Sequence, residues 1–148
     1  MFTRERIIEA AQRAGIDEYA ITRLLDELPV PQANSLTIIC NDGLHPIPKE
    51  QLPGCVFAAT TGNVDDHTLE ALEQTVIDAC KQVAQLIKNE GGFAEIYIVP
   101  SGYGVLLQKI AETVFQITGK PATTLHFDRK TNSYWAIRID LRTIITQS

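Results

Sequence analysis

The sequence predicts an α/β fold: a mainly parallel sheet flanked by helices, ending in an antiparallel C-terminal hairpin and preceded by a two-helix appendage. Three observations carry this expectation. Short apolar runs rich in β-branched residues alternate with longer stretches of helical periodicity. Each run ends in a small polar turn. The last two runs are separated only by Asp128-Arg129-Lys130-Thr131-Asn132, too short for a helical crossover, so they pair as a hairpin.

Residues 3–28 read as two helices. Ile7, Ile8, Ala11 and Ala14 form an apolar stripe that Gly15 ends. Asp17 is placed to cap the second helix, whose stripe is Ile21, Leu24, Leu25 and Leu28, before Pro29 and Pro31 stop it. The segment 29–34 reads as a linker, giving an appendage over 1–34 and a main domain over 35–148. The helix pair suggests a helix-turn-helix, but it lacks a third helix and carries six acidic against four basic residues. A packing or dimerisation hairpin, open to a protein partner, is the better reading.

The main domain opens with Leu36–Cys40, a buried-strand pattern closed by Asn41-Asp42-Gly43. A second strand, Cys55–Ala59, runs into Thr60-Thr61-Gly62-Asn63. Asp65 or Asp66 can cap a long helix reaching about Asn89, in which Leu69, Leu72, Val76, Cys80, Val83 and Ile87 recur at three- and four-residue intervals. The third strand, Ala94–Val99, leads into Pro100-Ser101-Gly102-Tyr103-Gly104. Next comes a helix buried along Leu106, Ile110, Val114 and Ile117 and stopped by Gly119 and Pro121. The hairpin is expected over 122–127 and 133–141. Trp135, Ile137, Ile139 and Leu141 share one face of its second strand, opposite Tyr134, Arg138 and Asp140. This order describes a Rossmann-like domain.

The net charge of −5 argues against a duplex-DNA binder. It is unevenly spread: residues 35–108 carry three basic against nine acidic groups, and residues 109–148 six against three. No apolar run approaches the roughly 20 residues that span a bilayer, so no membrane association and a soluble, cytoplasmic protein are expected. Cys40, Cys55 and Cys80 lie far apart in apolar stretches and read as reduced core residues. His45, His67 and His126 have no metal-ligand spacing, so neither a metal nor a cofactor is expected. His126 reads as a satisfied sheet histidine and His67 as solvated.

In open parallel sheets a ligand sits beyond the carboxyl ends of the strands. The candidate binding residues are therefore Asn41, Asp42 and Gly43, then Thr60, Thr61 and Gly62, then Pro100, Ser101, Gly102, Tyr103 and Gly104. The last group opens a helix, whose first N–H donors lack intrahelical partners and favour a phosphate or carboxylate. Gly102 and Gly104 match two of the three dinucleotide-fingerprint glycines, with Leu107 in place of the third and Asp128 at the next strand end. On this reading Gly102→Val abolishes ligand binding and leaves the fold largely intact. Ser101, His45 and Lys49 are the candidate catalytic groups, the last two placed to position a ribose hydroxyl and stabilise negative charge in phosphodiester cleavage. A serine hydrolase is disfavoured, because Pro100-Ser101-Gly102 lacks the first glycine of the nucleophile elbow.

From about Leu72 to Leu141 the order of elements resembles the CARF and SAVED nucleotide-sensing domains of CRISPR-associated antiviral defence. The residues carrying the likeness are Ile96–Leu106, Thr124–Asp128 and Tyr134–Ile137. The resemblance implies a homodimer that recognises a cyclic nucleotide or oligonucleotide messenger, with Ser101, Gly102 and Tyr103 over the ligand. It implies either relay of the signal or ring-nuclease-like cleavage of the messenger. A different small-molecule enzyme on the same strand ends, and a non-catalytic interaction protein, are the competing readings.

Overall fold

The computed structural model describes residues 4–27, 34–43 and 45–147. The expected linker residues 29–33 and the apolar position Leu28 lie outside the described residues. The chain forms two compact units, residues 1–31 and 32–148.

In the first unit, α1 (Arg4–Arg13) and α2 (Glu18–Glu27) pack against one another with Ala11 buried. The turn between them is made by its own backbone: Gly15 N–H donates to Gln12 at 3.1 Å and Ile16 N–H to Ala11 at 2.9 Å. Asp17 caps α2, its Oδ1 accepting from Tyr19 N–H at 3.3 Å.

The second unit is an α/β sheet in the order β2-β1-β3-β4-β5, built from β1 (Ser35–Ile39), β2 (Cys55–Ala58), β3 (Glu95–Val99), β4 (Thr123–Asp128) and β5 (Ser133–Ile137). All neighbours are parallel except β4 and β5. The connections β2–α3–β3 and β3–α4–β4 run the same way along the sheet, so right-handed crossovers put α3 (Leu69–Glu90) and α4 (Gly104–Thr118) on one face. Between these helices and the sheet lies the main core, with Leu36, Ile38, Ile98, Val83, Leu106 and Ile110 almost wholly buried. The β1–β2 connection runs the opposite way. It covers the other face with a loop and a 3₁₀ turn (Lys49–Gln51), seating Leu52 and Ile47 on Ile39, Val99 and Leu125. Thr37 is buried on that face and donates to the Pro53 carbonyl at 2.6 Å.

Five local expectations are corrected. The cap of α3 is Thr68, whose Oγ1 accepts from Ala71 N–H at 3.0 Å. Asp65 instead closes the preceding turn by accepting from His67 N–H. The last strand stops at Ile137, and Leu141–Gln147 forms a helix, α5, begun by Asp140, which accepts from Arg142 N–H at 3.1 Å. The alternation of β5 is present but inverted. Tyr134 packs edge-on against Phe127 with centroids 5.2 Å apart, while Trp135 and Ile137 are exposed, the core beneath α3 and α4 taking residues from β1, β2 and β3 but none from β5. Of the cysteines, Cys40 is buried and Cys80 half-buried, but Cys55 is exposed on the edge strand β2. His126 also stands exposed on β4.

Candidate functional site

The strand order reverses at β1, which places the switch point between β1 and β3, where the connections diverge to opposite faces. At this point the chain carries a polar network. Cys40 N–H reaches the Val99 carbonyl at 3.2 Å, and the Ser101 hydroxyl then clamps Asn41, accepting from its N–H at 2.9 Å and donating to its carbonyl at 2.6 Å. Asn41 is 4% exposed. Its Nδ2 donates to the Gly62 carbonyl at 3.0 Å, and its Oδ1 lies 3.1 Å from the Thr60 hydroxyl, which also donates to the Cys40 carbonyl at 2.6 Å. A buried amide without these partners would be costly, so the network fixes the geometry of all three strand ends.

The first two turns are zipped to one another. Asp42 N–H donates to Thr60 at 3.0 Å, Gly62 N–H donates to Asp42 at 2.7 Å, and Asp42 bridges Thr61. Their backbone donors therefore hold the loops in place. The third turn is different. Tyr103 is the first flanking residue of α4 and contributes no side-chain cap, so the N–H groups of Gly104 and Val105 have no carbonyl a turn behind them. Gly102 sits at φ +79°, and a Cβ there would stand 2.9 Å from the Asn41 Cβ. This corrects the expectation for Gly102→Val: the substitution would displace Asn41 and disturb the fold along with any ligand.

In front of this network lies a cleft of about 530 Å³, lined by Asn41, Asn63, Val64, Asp66, His67, Gly102 and Tyr103. Its size falls in the range of about 300–1,000 Å³ usual for small-ligand sites. The Tyr103 hydroxyl donates to the Asp66 carboxylate, which holds the phenol above its usual pKa range. The site joins a half-exposed aromatic ring, a carboxylate, an imidazole and two amides to a helix mouth.

The structure brings together Asn41, Gly102 and Tyr103 on the cleft wall, with Ser101, Thr60 and Gly62 supporting them from behind. Asp42, Gly43 and Thr61 belong to the zipped turns. Pro100 and Gly104 are exposed on either side of the third turn. His45 and Lys49 do not line the cleft: His45 is exposed on the β1–β2 connection, and Lys49 Nζ is paired with Asp42 at 2.6 Å. The Ser101 proton is committed to a backbone carbonyl, so this residue acts as a clamp. Asp128 is occupied within the hairpin turn, where bonds from Thr131 hold its carboxyl below the usual carboxylate range.

Sequence reasoning passed over Asp66 and His67, reading one as a helix cap and the other as solvated. The signal was available: both lie in the βα connection after β2, the position from which such sheets present ligand-binding side chains. Among the described residues no group of three or more His, Cys, Asp or Glu side chains is arranged to hold a metal. No described helix is long and apolar enough to cross a membrane. No protein-family model, curated protein or solved structure matches this chain.

Proposed function

We propose that the cleft binds a small anionic ligand of nucleotide type, its phosphate seated at the N-terminus of α4 and its sugar or base against the hydrogen-bonded Tyr103–Asp66 pair. The observation that carries this reading is the coincidence of an uncapped helix mouth with a ligand-sized cleft at the switch point of the sheet. The Asp66 carboxylate repels phosphate from its own side of the cleft and suits hydroxyl or amine donors. The cleft is therefore polarised along its length. The CARF-like resemblance narrows the ligand class to cyclic nucleotide messengers. His67, the imidazole that lines the cleft, is the group placed to assist cleavage if the messenger is turned over.

The test is a thermal-shift screen of the full chain against mono-, di- and cyclic oligonucleotides, each mixture then assayed by mass spectrometry for cleavage. A ligand that binds the native state raises the melting temperature by mass action. Tyr103→Ala, an exposed position, is expected to weaken the binding by about tenfold and leave the ligand-free melt unchanged. Recovery of intact ligand marks a receptor, and cleavage products lost in His67→Ala mark an enzyme. No shift at saturating nucleotide overturns the proposal.

A further inference from the structure

The outward side of the helical layer carries a second concavity, unconnected with the strand ends. A groove of about 730 Å³ runs between α3 and α4, floored by Leu72, Ile77, Cys80, Val105 and Ile117. Ile77, near the middle of α3, is 40% exposed although its chemistry favours burial. An apolar surface of this extent on a helical layer marks an association site.

We propose that this face is the seam of a two-fold homodimer, in which α3 of each copy lies antiparallel to α3 of the other in the facing groove, centred on Ile77. The occupant is identified by the charge pattern. Glu73 and Lys81 also line the groove, both exposed, one helical turn before and one after Ile77. In an antiparallel pair centred on Ile77, a residue four positions before the centre faces one four positions after it. Glu73 of each copy then meets the partner's Lys81, and the two ion pairs flank a self-contact of Ile77. A parallel pair in the same register would set Glu73 against Glu73 and Lys81 against Lys81. These two charges are thus self-complementary in one orientation, as an isologous interface requires, while Lys109 and Glu112, also on the groove, neutralise one another within each copy at 3.1 Å. The apolar groove supplies affinity, while the exposed charges fix register and direction.

The inference is independent of the ligand reading, and it is tested without ligand by sedimentation equilibrium of the full chain over a concentration series. The wild-type protein is expected to be a monomer–dimer system. Glu73→Lys and Lys81→Glu should each weaken the dimer by about tenfold, since each replaces two attractions by two repulsions. The double variant Glu73→Lys/Lys81→Glu should restore it. In a Cys55→Ser/Cys80→Ser background, Ile77→Cys should oxidise to a disulfide-linked dimer, because the axis brings the two copies of that position together. The charged variants are first shown to melt as the wild type does at concentrations where all are monomeric. A wild-type protein that stays monomeric at its highest soluble concentration overturns the proposal. So does a dimer indifferent to Glu73→Lys, or one that the double variant fails to rescue.

Discussion

Ile98 and Ile137 stand in the same row of the sheet, joined through Thr124, yet the first is 0% exposed and the second 46%. The residue type, the strand pattern and the face are the same. What differs is that α4 lies over β3 and stops short of β5, while the one helix that follows β5, α5, is only seven residues long. Burial in this sheet is therefore set by the reach of the crossover helices, and the apolar alternation of a strand records only that it has two faces. The contrast overrides side-chain polarity. Asn41 and Thr37 are buried at the centre because every polar atom there finds a partner, whereas Trp135 and Ile139 stay exposed near the edge.

The largest expected effect lies at the centre. Ile98→Ala removes a side chain enclosed by both helices and neighbouring strands, and should lower the unfolding free energy by about 2–5 kcal/mol in urea titrations. A loss below about 1 kcal/mol would mean that the core over β3 is loose enough to collapse around the cavity, and the contrast with the edge would fail.

Cys40 sharpens the comparison through pH. Burial pushes its thiol up from the ordinary value of 9.0 to about 11, the backbone at Ser101 opposing this only in part. The folded state therefore retains a proton that the unfolded state releases first. Its contribution is full below pH 9.0 and is lost as pH rises through about 11. The loss is on the order of 2–3 kcal/mol. Tyr134 is also raised by burial and adds a fall of the same sign. Urea titrations of wild type and Cys40→Ala across this window separate the two: the variant should keep the tyrosine part and lose the cysteine part. Parallel curves would place Cys40 in contact with water.

The parallel strands, both long helices and the strand ends that frame the cleft were legible in the sequence because they follow from local rules: apolar runs, helical periodicity and the breakers after each. Gly119 ended α4 as its position implied, with its N–H donating to the Phe115 carbonyl at 2.8 Å. The surroundings of the cleft were legible as a set of loops. Which residues face the cleft was not, because that depends on hydrogen bonds between segments remote in sequence. Nothing local to Ser101 shows that its proton goes to Asn41, 60 residues away. Lys49 likewise reads as a free cation until the β1–β2 connection folds it back onto Asp42. The inverted face of β5 was hidden for the same reason: the sequence around Trp135 does not encode how far α4 extends over the sheet.

The smallest effect is expected at the uncovered end of the row. Ile137→Ala removes the same atoms as Ile98→Ala, but nearly half of that surface is already in water. The site faces solvent, so no closed cavity remains and the cavity contribution of the core substitution is absent. The loss should be about 1 kcal/mol, mostly the area shared with neighbouring strands. Measured beside Ile98→Ala under the same conditions, the ratio of the two losses tests whether helix coverage alone separates these positions. A loss at Ile137 equal to that at Ile98 would mean that something in solution covers β5. A concentration-dependent loss would identify that cover as a second copy, in competition with the seam on α3. A small, concentration-independent loss is the outcome that helix coverage alone predicts.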